Sequence, residues 1–309
     1  MPELPEVETI RRDLAAHLLG RSIKSIHIFS SKTASHSAAF FKKALIGRNF
    51  SEINRRGKLL IFKLAPSRLT PARQPDYLLI HLKMTGQLIY LNHDKRLAGG
   101  HSLTPAKGGA ASFPTSFAAS VGGELPNKHT RAWIDFGRQG RLFFNDLRKF
   151  GYLKLINQPE LARLLQNNYG PEPLTSAFSL SFLSGVVKNR KTKIKALLLN
   201  QKIIAGLGNI YVDEVLFAAR IKPSRPAGSL KPVEIKDLYA AINKIIKLAI
   251  KHRGTTFNNY VDSQGQKGNF SRLLKVYGRR QEKCLRCGRE IIKKKIAGRG
   301  THYCANCQN

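Results

Sequence analysis

Apolar residues near the start of the chain recur at spacings of three and four. Val7, Ile10, Leu14 and Leu18 fall on one face, and this period predicts an amphipathic helix. The pattern then shortens to strand-like runs. Ile23, Ile26 and Ile28 share one run, and others cover 58–64, 77–82, 87–91, 131–136, 141–145 and 152–156. Short runs parted by turn residues predict a β-sandwich or barrel. Gly57 and Gly86 punctuate its turns, and Gly137 with Gly140 brackets a hairpin. From about residue 158 the period lengthens again, predicting helices over 159–167, 179–188, 191–200, 206–219 and 232–252. Gly170, Pro171 and Pro173 mark the join between the two textures. Residues 92–130 fit neither: they are rich in Gly, Ala, Ser, Thr and Pro, and read as a flexible insertion, with a structured lid as the alternative. The stretch 254–278 is polar and glycine-dotted, as in a long functional loop. The fold class expected is α+β, divided into 1–157, a helical segment 158–270 and a terminal module 271–309.

Charge changes the picture from architecture to partner. The 309 residues hold 53 Lys plus Arg against 19 Asp plus Glu, a formal net charge of +34. Such an excess calls for a polyanion, most simply nucleic acid. A membrane surface fits less well, because no amphipathic Lys/Trp helix stands out and the single Trp, Trp133, lies in a strand-like run. No stretch approaches the roughly 20 apolar residues of a membrane-spanning helix. The acidic start also lacks the features of a signal peptide, so an intracellular, cytoplasmic or nucleoid-associated protein is expected.

All four cysteines fall at the end, as Cys284-x-x-Cys287 and Cys304-x-x-Cys307. Disulfides are uncommon in a reducing compartment. Two CxxC knuckles at this spacing match a four-thiolate zinc site. Four thiolates close the coordination sphere, so the ion is expected to be structural.

At the other end stands Met1-Pro2-Glu3-Leu4-Pro5-Glu6. Trimming of the methionine would leave Pro2 as a terminal secondary amine. An α-amino group has a pKa of about 7.7–8.0, and the positive end of the following helix lowers it further. A nucleophilic amine with Glu3 and Glu6 at hand suits attack on an electrophilic sugar carbon. The alternative is an ordinary frayed helix start.

Two further constellations bear on DNA. In Gln201–Tyr211 two helices flank a turn holding Gly206 and Gly208, with Asn209 at the second helix's start. Glycines admit a phosphate to the backbone and a helix N-terminus supplies N–H donors. The turns Lys83-Met84-Thr85-Gly86 and Asp146-Leu147-Arg148-Lys149-Phe150-Gly151 set Met84 and Phe150 beside basic residues. These two side chains either wedge into a kinked duplex or pack in the core.

Together these residues resemble the formamidopyrimidine-DNA glycosylase family of bifunctional DNA glycosylase/AP lyases, which also includes endonuclease VIII. The resemblance lies in Pro2 to Thr9, Gly57-Lys58, His81-x-x-Met84-Thr85-Gly86, Asp146-x-Arg148-x-Phe150-Gly151, Gly206-x-Gly208-Asn209-Ile210-Tyr211 and Arg299-x-Thr301-x-Tyr303-Cys304. It runs from residue 2 to 307, the insertion excepted. Leu4 resembles the oxidised-purine branch, since the endonuclease VIII branch typically carries glycine there.

The resemblance implies a β-sandwich catalytic domain, a helix-two-turn-helix domain and a zinc-finger hairpin with one structural Zn2+ on Cys284, Cys287, Cys304 and Cys307. It implies a monomer that excises oxidised purines, such as 8-oxoguanine and formamidopyrimidines, from double-stranded DNA and nicks the abasic site by β,δ-elimination. Pro2 would attack C1′, Glu3 would move protons, Glu6 would support, Lys58 would serve β-elimination and Arg299 the second elimination. Met84, Arg148 and Phe150 would fill the gap left by an extruded nucleotide. His129, Lys191 and Asn209 would contact the DNA backbone, and the loop 255–268 would cover the flipped base. The alternatives are an endonuclease VIII-type enzyme for oxidised pyrimidines and a non-catalytic zinc-ribbon DNA-binding protein.

Overall fold

The computed structural model describes residues 2–66, 75–101, 117–255 and 270–309. The chain forms two compact units, Met1–Leu165 with Arg253–Asn269, and Gln166–His252 with Phe270–Asn309.

The first unit opens with α1, Leu4–Leu18, followed by β1 (Ser25–Ile28) and α2 (Ala38–Leu45). Strands β2 (Phe50–Arg56), β3 (Leu59–Leu64), β4 (Tyr77–His81), β5 (Gly86–Leu91) and β6 (Arg96–Gly100) come next. Then follow α3 (Phe117–Val121), β7 (Thr130–Asp135), β8 (Arg141–Asp146), β9 (Tyr152–Ile156) and α4 (Gln158–Asn168). The strands make two antiparallel sheets, ordered β1-β7-β8-β5-β6 and β2-β3-β4-β9. A single core of Val7, Ile10, Leu14 and Leu18 from α1, with Phe50, Phe62, Ile80, Leu88, Tyr90, Ile134 and Phe144 from both sheets, fills the space between them. Each of those four helix side chains is buried, contributing about 2 kcal/mol apiece and pinning the helix that carries the chain start.

The expected strands are all present, with two further strands, β2 and β6, and two helices, α2 and α3, that the apolar pattern hid. Strand β2 alternates poorly because it carries a bulge between Phe50 and Glu52. Helix α2 is short, capped by Ser37, whose hydroxyl accepts from the Phe40 N–H at 3.2 Å. The third difference falls inside 92–130, where β6 and α3 replace the expected flexibility at those residues; 102–116 lie outside the described residues. β6 pairs with β5 from Leu91↔Arg96 to Gln87↔Gly100. Its glycines reflect tight packing: a Cβ on Gly100, at φ +123°, would sit 2.4 Å from the Gly86 carbonyl oxygen. α3 then buries Val121 on the outer face of that sheet, with Ile89, Ala98 and Phe143.

The second unit holds α5 (Leu180–Val187), α6 (Ile194–Leu199), α7 (Asn209–Ala218), α8 (Pro232–Lys251) and the hairpin β10 (Ile291–Ile296) to β11 (Arg299–Cys304). Helices and hairpin form one unit because two buried acids on α7 reach the terminal segment. Asp213 accepts from the Lys195 ammonium at 2.5 Å and from the His302 N–H at 2.8 Å. Glu214 accepts the backbone N–H groups of Lys275, Val276 and Tyr277. The helical domain and hairpin, separate in the sequence division, are therefore joined here, and Arg253–Thr255 goes with the first unit. No helix among the described residues is long and apolar enough to cross a membrane.

Candidate active site and nucleic-acid interface

The first turn of α1 concentrates buried acid. Glu3 and Glu6 are 2% and 1% exposed, and Pro2 is buried beside them. Glu3 is the N-cap, and its N–H donates to Glu6 Oε2 at 2.9 Å. A buried carboxylate is costly unless hydrogen-bonded. Glu6 meets that need at its other oxygen, where Oε1 accepts from the Thr255 N–H at 2.7 Å and the Thr255 hydroxyl at 3.1 Å.

One turn on, Glu8 gathers three arginines: Arg11 at 2.9 Å, Arg12 at 2.7 Å and Arg55 at 3.2 Å. Burial pushes the Glu8 carboxyl up, but the guanidinium hydrogen bonds and charges outweigh it and hold it at about 2. Arg55 also donates to the Gly57 carbonyl at 2.9 Å. Gly57, at φ +57°, turns β2 into β3 and presents Lys58, which is 7% exposed. Helix α1 and the Lys58 turn are thus tied through one carboxylate.

The turns carrying Met84, Arg148 and Phe150 meet around a buried acid. Asp146, at the end of β8, accepts the Thr85 hydroxyl and the Arg148 N–H through Oδ1, and the Gly151 N–H at 2.7 Å through Oδ2. The Arg148 N–H also donates to Thr85 Oγ1 at 2.9 Å. Gly151 has no room for a side chain, since a Cβ would lie 2.6 Å from the Phe144 ring. His81 shapes the partner turn: its Nδ1 accepts the Lys83 N–H at 3.0 Å, which holds Lys83 at φ +49°. Burial, with Lys83 and Lys58 adding repulsion, depresses the His81 imidazolium to about 3, so the ring is a neutral acceptor at pH 7.

What this frame presents is exposed. Met84 is 38% and Phe150 52% exposed, so neither packs in the core. Arg148 bridges them, with Nη1 3.4 Å from the Met84 sulfur and its guanidinium 4.8 Å over the Phe150 ring. A buried polar hub thus holds two apolar side chains out in water. His129 lies next to this frame across the β7–β8 pair, its carbonyl accepting the Asp146 N–H at 2.9 Å.

In the second unit, Gln201 braces the glycine turn by accepting the Gly206 N–H at 2.8 Å and donating to the Leu207 carbonyl at 2.8 Å. Gly206 stands at φ +96°. Asn209 opens α7 and donates to the Gly300 carbonyl at 3.0 Å, tying the turn to the hairpin tip. Lys191 is exposed on the approach to α6, and Arg299 is exposed at the start of β11. The hairpin turn, Ala297 and Gly298, has positive φ at both residues, the type I′ geometry that suits a twisted ribbon.

Residues 1–153 of the chain match the formamidopyrimidine-DNA glycosylase N-terminal domain, 169–260 the formamidopyrimidine-DNA glycosylase H2TH domain, and 281–309 a zinc finger found in FPG and IleRS. It is 38% identical over 309 residues to the formamidopyrimidine-DNA glycosylase of Carboxydothermus hydrogenoformans, covering 100% of both chains. The chain belongs to the formamidopyrimidine-DNA glycosylase family. Among solved structures, a Lactococcus lactis FPG variant in complex with Fapy-dG containing DNA superposes with a TM-score of 0.81 at 35% identity, covering 99% of each chain. The same protein's complex with abasic-site DNA gives a TM-score of 0.80, again at 35% identity and 99% coverage.

As in other formamidopyrimidine-DNA glycosylases, the terminal module is a zinc finger, and its geometry can be checked. The four cysteine sulfurs all lie within 4.8 Å of one another, with Cys287 to Cys304 at 3.5 Å and Cys284 to Cys307 at 3.9 Å. A tetrahedron with Zn–S of about 2.3 Å has edges of about 3.8 Å. The donor set fits one structural Zn2+. Motif reading quoted Glu8 and Asp146 without giving either a role, and it missed Arg55, Asp213, Glu214 and the bond from Thr255 to Glu6. Each acts across a long sequence separation, which no local pattern records. The loop proposed over the flipped base lies, from residue 256 to 268, outside the described residues.

Proposed function

We propose that this chain excises oxidised purines from duplex DNA with Pro2 as the covalent nucleophile, and then cuts the abasic site. The glycosylase and lyase activities, and damaged double-stranded DNA as partner, follow from full-length membership of the family. The observation that supports the Pro2 step is the buried Glu3–Glu6 pair on the first turn of α1.

Removal of Met1 frees the amine. Pro2 N attacks C1′ of the extruded nucleotide, the C1′–base bond breaks, and the base leaves with its electron pair and a proton. Glu3 delivers a proton to the ring oxygen as the sugar opens, leaving an iminium between Pro2 and C1′. A secondary amine reaches that cation without losing a second proton. Abstraction of a C2′ proton then expels the 3′ phosphate, and a second elimination expels the 5′ phosphate. Lys58 serves the first elimination and Arg299 the second. Met84 and Phe150 fill the vacated stack, while Arg148 donates to the orphaned base, where cytosine offers two acceptors. His129, Lys191 and Asn209 neutralise or bind phosphates. The zinc holds the hairpin and takes no chemical step.

Borohydride trapping on an abasic-site duplex tests the reading. A covalent adduct is expected, and Pro2→Gly should reduce it; no adduct would sink the enzymatic mechanism in favour of a DNA-binding zinc ribbon. A cleavage panel then decides the branch, because preference for thymine glycol over 8-oxoguanine would reassign the chain to oxidised pyrimidines. Intact mass reports directly whether Met1 is gone.

A further inference from the structure

Residues 253–255 lie along α1, and three contacts fix them there. Arg253 donates through Nη2 to Asp13 Oδ2 at 2.6 Å. Two turns nearer the chain start, Thr255 donates through both its N–H and its hydroxyl to Glu6 Oε1. Between them Gly254, at φ +77°, passes so close that a Cβ would lie 2.5 Å from Glu6 Oε1 and 2.8 Å from its Cγ. Arg253 itself stands at φ +60°, a left-handed conformation that costs a non-glycine residue of order 1 kcal/mol and persists only where surroundings enforce it. The segment is therefore built against α1.

The other oxygen of the same carboxylate holds the Glu3 N–H at 2.9 Å. One buried side chain thus links residue 255 to the peptide group between Pro2 and Glu3. A carboxylate gripped at both oxygens has little freedom to rotate. Loss of Thr255 would remove both of the donors it gives to Glu6 Oε1 and loosen the carboxylate that holds the Glu3 N–H.

We propose that Arg253, Gly254 and Thr255 are positioning residues for Pro2, acting through Glu6 on the backbone of Glu3. This rests on the reading of Pro2 as nucleophile. Its chemistry is orientation: attack on C1′ needs the amine lone pair aimed along one line, and a misplacement of about 1 Å can cost about 100-fold in rate.

The test separates orientation from binding. Single-turnover borohydride trapping on an abasic-site duplex gives the rate of adduct formation, and a duplex with a tetrahydrofuran abasic analogue gives the affinity. Gly254→Ala, which pushes on Glu6, should slow trapping about 30-fold or more. Thr255→Val, which keeps the N–H donor, should slow it about threefold, with Thr255→Ser restoring the loss. Arg253→Lys should recover what Arg253→Ala loses. Affinity for the analogue should stay within about twofold throughout, the signature of an orientation effect. Unchanged trapping in Gly254→Ala and Thr255→Val would overturn the proposal. So would rate and affinity falling in parallel, which would mean a structural role only. Failure of the unaltered chain to form any adduct would instead refute the Pro2 reading, and this inference with it.

Discussion

Two parts of this molecule hold out exposed side chains that we propose meet DNA, and they are stiffened in different ways. The paired turns that present Met84, Arg148 and Phe150 hang from the β-sandwich and are locked by hydrogen bonds to Asp146, Thr85 and His81. The hairpin that presents Arg299 has a small cluster of its own, chiefly Val276, Ile291, Phe217 and the cysteines. A large core can support a polar hub, because burial around it strengthens each hydrogen bond. The short terminal module has less apolar area of its own, and besides the buried acids Asp213 and Glu214 that grip it, it relies on a metal to supply folding energy.

The sharpest way to break the comparison is to remove the metal. Structural zinc contributes of order 10 kcal/mol to such modules. Chelation, or Cys304→Ser, should unfold the hairpin and weaken duplex binding by about 100-fold or more, with a shallower salt dependence as phosphate contacts are lost. The first unit should keep its hydrogen-exchange protection. Loss of protection in β3 and β4 on chelation would show that the two supports are not independent.

Next comes the polar hub. Asp146 is fully buried and accepts from three donors, so Asp146→Ala strands the Thr85 hydroxyl and the Gly151 N–H and leaves the Arg148 N–H only Thr85 Oγ1. At about 1–3 kcal/mol for each unsatisfied group, a loss of about 3–5 kcal/mol is expected in denaturant titration. Asp146→Asn should lose less, because it keeps one acceptor oxygen. Equal losses for the two variants would mean that charge, rather than acceptor count, holds the turns.

This hub also marks where sequence reading stopped. The helix face of Val7, Ile10, Leu14 and Leu18 was legible because its spacing is local, and so was the zinc site, whose ligands come in two tight pairs. Met84 and Phe150 were legible as a motif but ambiguous in placement, since apolar residues are far more often buried than displayed. The reason for their display is a hydrogen-bond network joining residues about sixty positions apart, such as Thr85 to Asp146. The glycines of β6 misled for the related reason that close backbone approach and flexibility use the same residue. Thr255 had no local signal at all, its partner Glu6 being at the other end of the chain.

A smaller effect sharpens how the start of the chain is held. Glu8 has an ordinary value of 4.5 and is held at about 2 in the fold. A depressed carboxylate stabilises above its unfolded value and loses that contribution as the pH falls through the folded one. Its share is thus complete above about pH 5 and fades toward pH 2. His81 acts in the same direction over a higher window: it stays neutral down to about 3, so acid between its ordinary 6.5 and that value also favours the unfolded chain. Glu8→Gln should lower stability at pH 7 by about 2 kcal/mol after allowing for solvent screening, and flatten the loss between pH 5 and 2. An unchanged acid slope would remove Glu8 as the anchor between α1 and the Lys58 turn.

The smallest expected effect on stability carries the clearest meaning for function. Met84 is exposed and its sulfur lies against the Arg148 guanidinium, so Met84→Ala should change the unfolding free energy by less than about 0.5 kcal/mol. A core methionine cut to alanine would instead cost about 2–5 kcal/mol. Excision of 8-oxoguanine from a duplex requires the vacated stack to be filled, and removing one wedge should slow it about tenfold by lowering the population of the extruded state. A single-stranded abasic substrate has no stack to fill. Trapping on it should therefore proceed at the rate of the unaltered chain, and equal slowing on both substrates would show that Met84 acts on chemistry instead of extrusion.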